Sequence, residues 1–319
     1  MNTSVQQLRG ISALAVVFCH YGSDLNSYPY LSELFNMGQL GVHVFFFISG
    51  YIILYSLMKN KYTIKNFFRF LLKRSIRIDP IYLLTILLTL LTFWLFSFIS
   101  SFKGQLIPFI PQQFLAHVFH VVPFTNWQFY NHIFWTLGIE FQFYLLIGII
   151  YFINDKLIYR ITFLLLFSST IFLTLPKSYY LLTSYAPIFA LGMALLHYNM
   201  SKLKAYLVVI LFCGILICLK IGVLSLILVI IAGLLITYSN KKFKPLTFLG
   251  DISYSLYIIH PLVLIYLLGT FKRLNIHFYD DLMKLTINIS ITIGFAYVLY
   301  RLVEKPSISL SKKISYHKR

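Results

Sequence analysis

Long apolar runs alternate with short polar breaks along the whole chain. A run that covers about 30 Å at about 1.5 Å per residue predicts a membrane-spanning helix. Such runs fall near 5–22, 38–58, 80–101, 132–153, 157–175, 181–198, 205–219, 221–238, 246–270 and 284–303. They predict an all-α, polytopic integral membrane protein with about ten transmembrane helices, the runs between 205 and 238 being parted only by Lys220, Ile221 and Gly222. Two further elements lie between runs. "KNKYTIKNFFRFLLKRSIRIDP", from Lys59 to Pro80, interleaves basic residues with Phe and Leu and predicts an amphipathic helix on the inner membrane face. Its cations suit anionic lipid and a ligand equally. The segment 102–131, containing "PFIPQQFLAHVFHVVPF", predicts a short re-entrant or interfacial helix. No internal repeat is visible, which counts against an inverted-repeat transporter.

Composition agrees with a membrane protein. Of 319 residues, 59% are hydrophobic and 11% charged, with a mean hydropathy of +0.80, more apolar surface than a water-soluble domain can cover. Lys and Arg number 27 against 9 Asp and Glu. With the N-terminus inside, the inner segments 59–77, 154–160, 197–204, 239–245 and 305–319 hold 7, 2, 2, 3 and 5 Lys and Arg, while the outer segments hold only Lys103, Lys177, Lys220, Lys272, Arg273 and Lys284. The positive-inside rule therefore places both termini in the cytoplasm and explains the basic balance without nucleic acid. Cys19, Cys213 and Cys218 lie inside apolar runs without metal-ligand spacing and read as core residues. Arg9 interrupts the first run and no small-residue cleavage site follows it, so no removable signal peptide is expected.

Polar residues inside the runs carry the candidate chemistry. In "QLRGISALAVVFCHYG", Arg9 and His20 are eleven residues apart. That spacing turns a helix through about three turns plus 20°, so both lie on one face, about 16 Å apart along the axis. Measured from the inner surface, His20 lies at about 22 Å, His43 at about 22 Å, His260 at about 21 Å and Glu140 at about 18 Å, one layer in depth. A lone His in a span, His43 included, reads equally as a hydrogen-bonded packing residue. An intramembrane carboxylate such as Glu140 marks function by default, and a carboxylate beside an imidazole is the basis of an acid–base pair. Nearer the inner surface, Arg9, Lys73, Arg74 and Arg77 form a basic group, and arginine forks suit phosphate. A phosphate site inside and an acid–base site about 16 Å away fit a long, thin, phosphate-tailed substrate. Acyl coenzyme A has that shape, and a lipid-linked diphosphate sugar would also place phosphates near one surface.

The chain resembles the acyltransferase-3 family of integral membrane O-acyltransferases, which acylate sugars of bacterial lipopolysaccharide, capsule, exopolysaccharide and peptidoglycan. "RGISALAVVFCH", from Arg9 to His20, is similar to the family's Arg, ten residues, then His. "GVHVFFFISGYII" (Gly41 to Ile53), "RSIRIDP" (Arg74 to Pro80), "FWTLGIEFQFYLL" (Phe134 to Leu146), "DISYSLYIIHPL" (Asp251 to Leu262) and "VEKP" (Val303 to Pro306) resemble further family motifs, in family order. Where the family often has an acidic residue this chain has His43, and where it often has Ser this chain has Gly138. The resemblance implies a transmembrane acyltransferase domain over 1–306 with a basic cytoplasmic tail over 307–319, in the bacterial inner membrane. It implies acetyl-CoA as cytoplasmic donor, a glycan or lipid-linked sugar as acceptor, and no permanently bound cofactor or metal. His20 would be general base or transient acyl carrier, with Glu140 orienting or assisting it. Arg9, Arg74 and Arg77 would hold donor phosphates, Ser49 and Gly50 would admit the pantetheine arm or simply pack helices, and His260, Tyr257 and His43 would line the acceptor site. Two other readings remain: an acyltransferase of another fold with an intramembrane His, and a transporter or flippase for a lipid-linked or acylated sugar.

Overall fold

A computed structural model describes residues 3–22, 25–98, 106–151, 156–239, 241–273 and 280–316. The end of the third run, the start of the outer segment, part of the inner loop 154–160 and the last three residues of the basic tail lie outside the described residues. Fourteen α-helices follow one another: α1 (Thr3–Gly22), α2 (Pro29–Asn36), α3 (Gly41–Lys59), α4 (Phe67–Ser97), α5 (Pro111–Val118), α6 (Trp135–Ile150), α7 (Leu157–Ser169), α8 (Ala186–Ser201), α9 (Ala205–Lys220), α10 (Val223–Tyr238), α11 (Lys244–Asp251), α12 (Ser253–Arg273), α13 (Asp281–Leu299) and α14 (Lys305–Lys313). No strand occurs among the described residues.

Every apolar run falls on helix, but the count of full-length spans is smaller than the pattern predicts. Among the described residues, Pro29–Lys59, Ile64–Ser97, His132–Ile150 and Asp281–Lys313 are long and apolar enough to cross a membrane, and α11 with α12, bent by 68°, makes a fifth if taken together. The helices α8, α9 and α10 have 16 residues each and reach about 24 Å, short of the hydrocarbon thickness. Leu207, Val208, Leu211, Ile215 and Leu219 on α9 and Ile227, Ile230, Ile231 and Leu234 on α10 are nevertheless exposed, as lipid-facing helices require.

The surface helix expected to end at Pro80 is absent as a separate element. The helix α4 runs unbroken from Phe67 through Pro80 to Ser97, so the basic residues 69–77 ride on the same rod as an apolar stretch. The tail expected over 307–319 is docked as far as the structure describes it: Arg69 Nη1 donates to the Tyr316 carbonyl (3.3 Å) and Lys73 Nζ to that of Ile314 (3.2 Å). The segment 102–131 does carry a short helix, α5. His120 Nε2 beside Asp79 Oδ1 (3.1 Å) pins its far end to α4.

Close backbone approach sets the packing. A Cβ on Gly50 would collide with the Phe189 carbonyl oxygen and one on Gly192 with that of Phe47, so α3 and α8 cross through paired glycines. Gly10 and Gly250 bring α1 and α11 together in the same way. The helix α1 thus sits in the middle, packed on α3, α11, α12 and α13. Hydroxyls in apolar helices return to their own backbone: Thr85, Thr89 and Thr92 donate to the carbonyls of Ile81, Thr85 and Leu88.

Overpacking at a helix crossing costs about 1–3 kcal/mol. Gly192→Val, which drives a branched side chain at the Phe47 carbonyl, is expected to lower the thermal unfolding midpoint in detergent. An unchanged midpoint would show that α3 and α8 do not meet through this pair.

Candidate active site

Three helices build the site, each carrying a histidine and, further along, groups that line a common cavity. On α1 these are His20 and Arg9. On α12 they are His260 with Tyr257, Tyr254 and Ser253. On α6, Thr136, Glu140 and Tyr144 follow at four-residue spacing and continue back to His132 in the 3-10 turn that opens the helix, a polar stripe about 18 Å long. Arg74 and Arg77 come from α4, Ser49 from α3, and Glu304 from a π-helical turn (Tyr300–Glu304) between α13 and α14.

The cavity has a volume of about 120 Å³, and Arg9, Arg74 and Arg77 share it with Glu140 and Glu304. The carboxylates are bonded to hydroxyl and amide donors. Glu140 Oε1 accepts from Ser49 Oγ (2.9 Å) and from Tyr144 OH (2.5 Å). Glu304 Oε2 accepts from the Ser255 N–H (3.1 Å) and Ser255 Oγ (2.6 Å). Among the described residues the only contact at ion-pair distance is that of His120 with Asp79, so neither carboxylate closes on a guanidinium of the cavity. Arg74 is only 6% exposed, lies over the rings of Phe70 (5.5 Å) and Tyr144 (5.8 Å), and leaves Nε without a partner. A buried guanidinium with spare N–H donors is a site for an anion.

The second group is a cluster of imidazoles. The His20 ring meets that of His132 edge to face at 4.9 Å and that of His260 at 5.0 Å. His260 Nδ1 lies 2.6 Å from the Tyr257 carbonyl, which can only accept, so Nδ1 carries the hydrogen and the neutral ring keeps its lone pair on Nε2. That Nε2 is buried without a partner. Tyr21 OH, bonded to the His260 carbonyl (2.7 Å) and to Thr292 Oγ1 (2.7 Å), holds α1, α12 and α13 in register here. Tyr257 joins the two groups: it lines the cavity, bonds Thr136 Oγ1 (2.9 Å), and lies 5.9 Å from the His260 ring. Among the described residues no group of His, Cys, Asp or Glu is arranged to hold a metal ion.

Arg9, Arg74, Arg77, Ser49, Glu140 and Tyr257 therefore come together in one cavity, and His20 and His260 come together beside it. Two candidates are not brought there. His43 Nδ1 pairs with Ser225 Oγ (2.9 Å) and its ring packs on Tyr185, while Gly50 packs against Phe189. Glu140 bonds Ser49 and Tyr144, and neither bond reaches an imidazole. Depth along an axis says nothing about the direction a side chain takes across the bundle. Sequence reasoning missed His132 and Glu304. The four-residue spacing of His132, Thr136, Glu140 and Tyr144 was a legible signal for the first, and the "VEKP" motif for the second.

Comparison with known proteins adds three findings. Residues 2–301 match the acyltransferase-3 family model, described as an acyltransferase domain. A protein of Acidianus two-tailed virus, named "Putative acetyltransferase ORF330", is 27% identical over 288 residues, covering 81% of this chain and 82% of the viral protein. No solved structure matches.

Removing the Glu304 carboxylate leaves the buried Ser255 N–H and hydroxyl unpaired, at a cost of about 1–3 kcal/mol. Glu304→Ala is expected to melt well below the wild type and Glu304→Gln close to it, because one amide oxygen can still accept both bonds. Equal melting of the two variants would show that these bonds do not hold the turn.

Proposed function

The chain belongs to the acyltransferase-3 family, and on that premise we propose that this membrane acyltransferase moves an acetyl group from cytoplasmic acetyl-CoA to a hydroxyl of a cell-surface or lipid-linked glycan. The observation that carries the reading is the cavity itself: three guanidiniums share it and none is paired with a carboxylate. Arginine forks of this kind suit the phosphates of coenzyme A. From Arg9 to His20 is about 16 Å along α1, a distance that the pantetheine arm bridges past Tyr257. The donor's thioester then lies at the imidazole cluster.

Two chemistries follow for His20. As general base it takes the acceptor proton while the acceptor oxygen bonds the acetyl carbon and the carbon–sulfur bond breaks, and the proton then goes to the leaving thiolate. As acyl carrier its nitrogen attacks the thioester first, releases the thiol, and the acceptor oxygen later displaces it. His260, with Nδ1 committed to Tyr257, presents Nε2 beside this centre. Glu140 shapes the cavity through Ser49 and Tyr144. Both termini and the arginine cavity face the cytoplasm in this reading, in a multi-pass protein of the bacterial inner membrane.

The test compares two donors. Arg74→Ala is expected to weaken binding of acetyl-CoA about 10-fold to 100-fold and to leave that of acetyl-pantetheine, which has no phosphate, unchanged. His20→Ala is expected to bind acetyl-CoA as the wild type does and to release no thiol. Wild-type affinity of Arg74→Ala for both donors would remove the phosphate assignment, and thiol release by His20→Ala would remove the catalytic one.

A further inference from the structure

The three imidazoles differ in what can reach them. His260 has no exposed surface, and its Nδ1 is committed to the backbone. His20 is partly buried between the other two. His132 is exposed. It stands where a polar segment, residues 125–131, enters α6, and Asn131 Oδ1 fixes the turn by accepting from the Ile133 N–H (3.3 Å). His132 is also at the end of the α6 stripe farthest from Tyr144 and the arginines. A hydroxyl coming to His20 from the side of His260 would have to pass a fully buried ring packed on Tyr21 and Tyr257. From the side of His132 it meets an open imidazole.

We propose that His132 is a further catalytic residue that receives the proton of the acceptor hydroxyl, which enters from this open side. The inference rests on the acetyl transfer proposed above. In the step, the acceptor O–H bond breaks and its proton goes to a His132 ring nitrogen. The acetyl group rests on His20 as acyl carrier, the oxygen bonds its carbonyl carbon, and the carbon–nitrogen bond to His20 breaks. The proton then passes to the His20 nitrogen, which gave its own proton to the thiolate when it took up the acetyl group, so no proton is gained or lost. Imidazole suits this task near neutral pH, and a general base needs only hydrogen-bond reach of the hydroxyl, directly or through one water. Donor and acceptor thus approach His20 from opposite ends of α1.

The test uses the full-length protein in vesicles with radiolabelled acetyl-CoA and glycerol as the hydroxyl probe. Donor affinity and thiol release are read for wild type, His20→Ala, His132→Ala and His132→Asn. Both His132 variants are expected to bind acetyl-CoA within about twofold of wild type and to lose turnover by about 100-fold or more. Added imidazole is expected to restore turnover to His132→Ala, whose vacated site lies at the surface of the chain, and to leave the wild type unchanged. Turnover near the wild-type rate in either variant, a loss that imidazole does not restore, or a parallel loss of donor affinity in both would overturn the assignment. Failure of the transfer reading itself looks different, because the wild type would then release no thiol.

Discussion

A polar side chain carried into an apolar bundle must find its partner inside the bundle, since neither lipid nor packed helices supply one. Many polar groups among the described residues can be read from that constraint. Thr85, Thr89 and Thr92 turn back onto their own helix, and Tyr21 spans from α1 to α12 and α13. Ser255 satisfies Glu304 twice. Tyr254 OH donates to the Ile78 carbonyl and so ties α12 to α4. Helix–helix association gains little from hydrophobic burial in such surroundings, so glycine crossings and these bonds set the arrangement.

The exceptions are then informative. Of the buried polar atoms without a partner, two fall at the site, Arg74 Nε and His260 Nε2, and the carboxylates nearest the guanidiniums are bonded to other donors. Unsatisfied groups of this kind are costly in a fold and persist where a ligand completes them. They fall in two places joined by α1, α6 and α12, the arginine cavity with Arg74 from α4 and Glu304 from the π-helical turn, and the imidazole cluster. The α6 stripe and the α12 segment from Ser253 to His260 run between them, so one rigid frame sets the distance between anion and reacting group.

The glycine crossings make that frame precise. Gly50 and Gly192 let α3 approach α8 until backbone touches backbone, and Ser49, next in the chain, stands at hydrogen-bond distance from Glu140. Gly10, next to Arg9, does the same for α1 against α11. A residue that reads as a ligand candidate by position, Gly50, therefore serves the site through the packing of its neighbour.

By itself the sequence determined the all-helical class, the location of each apolar helix, the shared face of Arg9 and His20 and the basic character of residues 69–77, because helical period and composition are local properties. The motif order from Arg9 to Pro306 was likewise legible without coordinates. Tertiary structure decided the rest. It carried α4 straight through Pro80, left α8 and α10 shorter than the apolar runs that predicted them, bonded Glu140 to Ser49 and Tyr144, moved His43 to Ser225, and brought His132 and Glu304 in. Depth along a helix follows from counting residues, whereas direction across a bundle depends on tilt, rotation and neighbours, and those are fixed only when distant segments pack together.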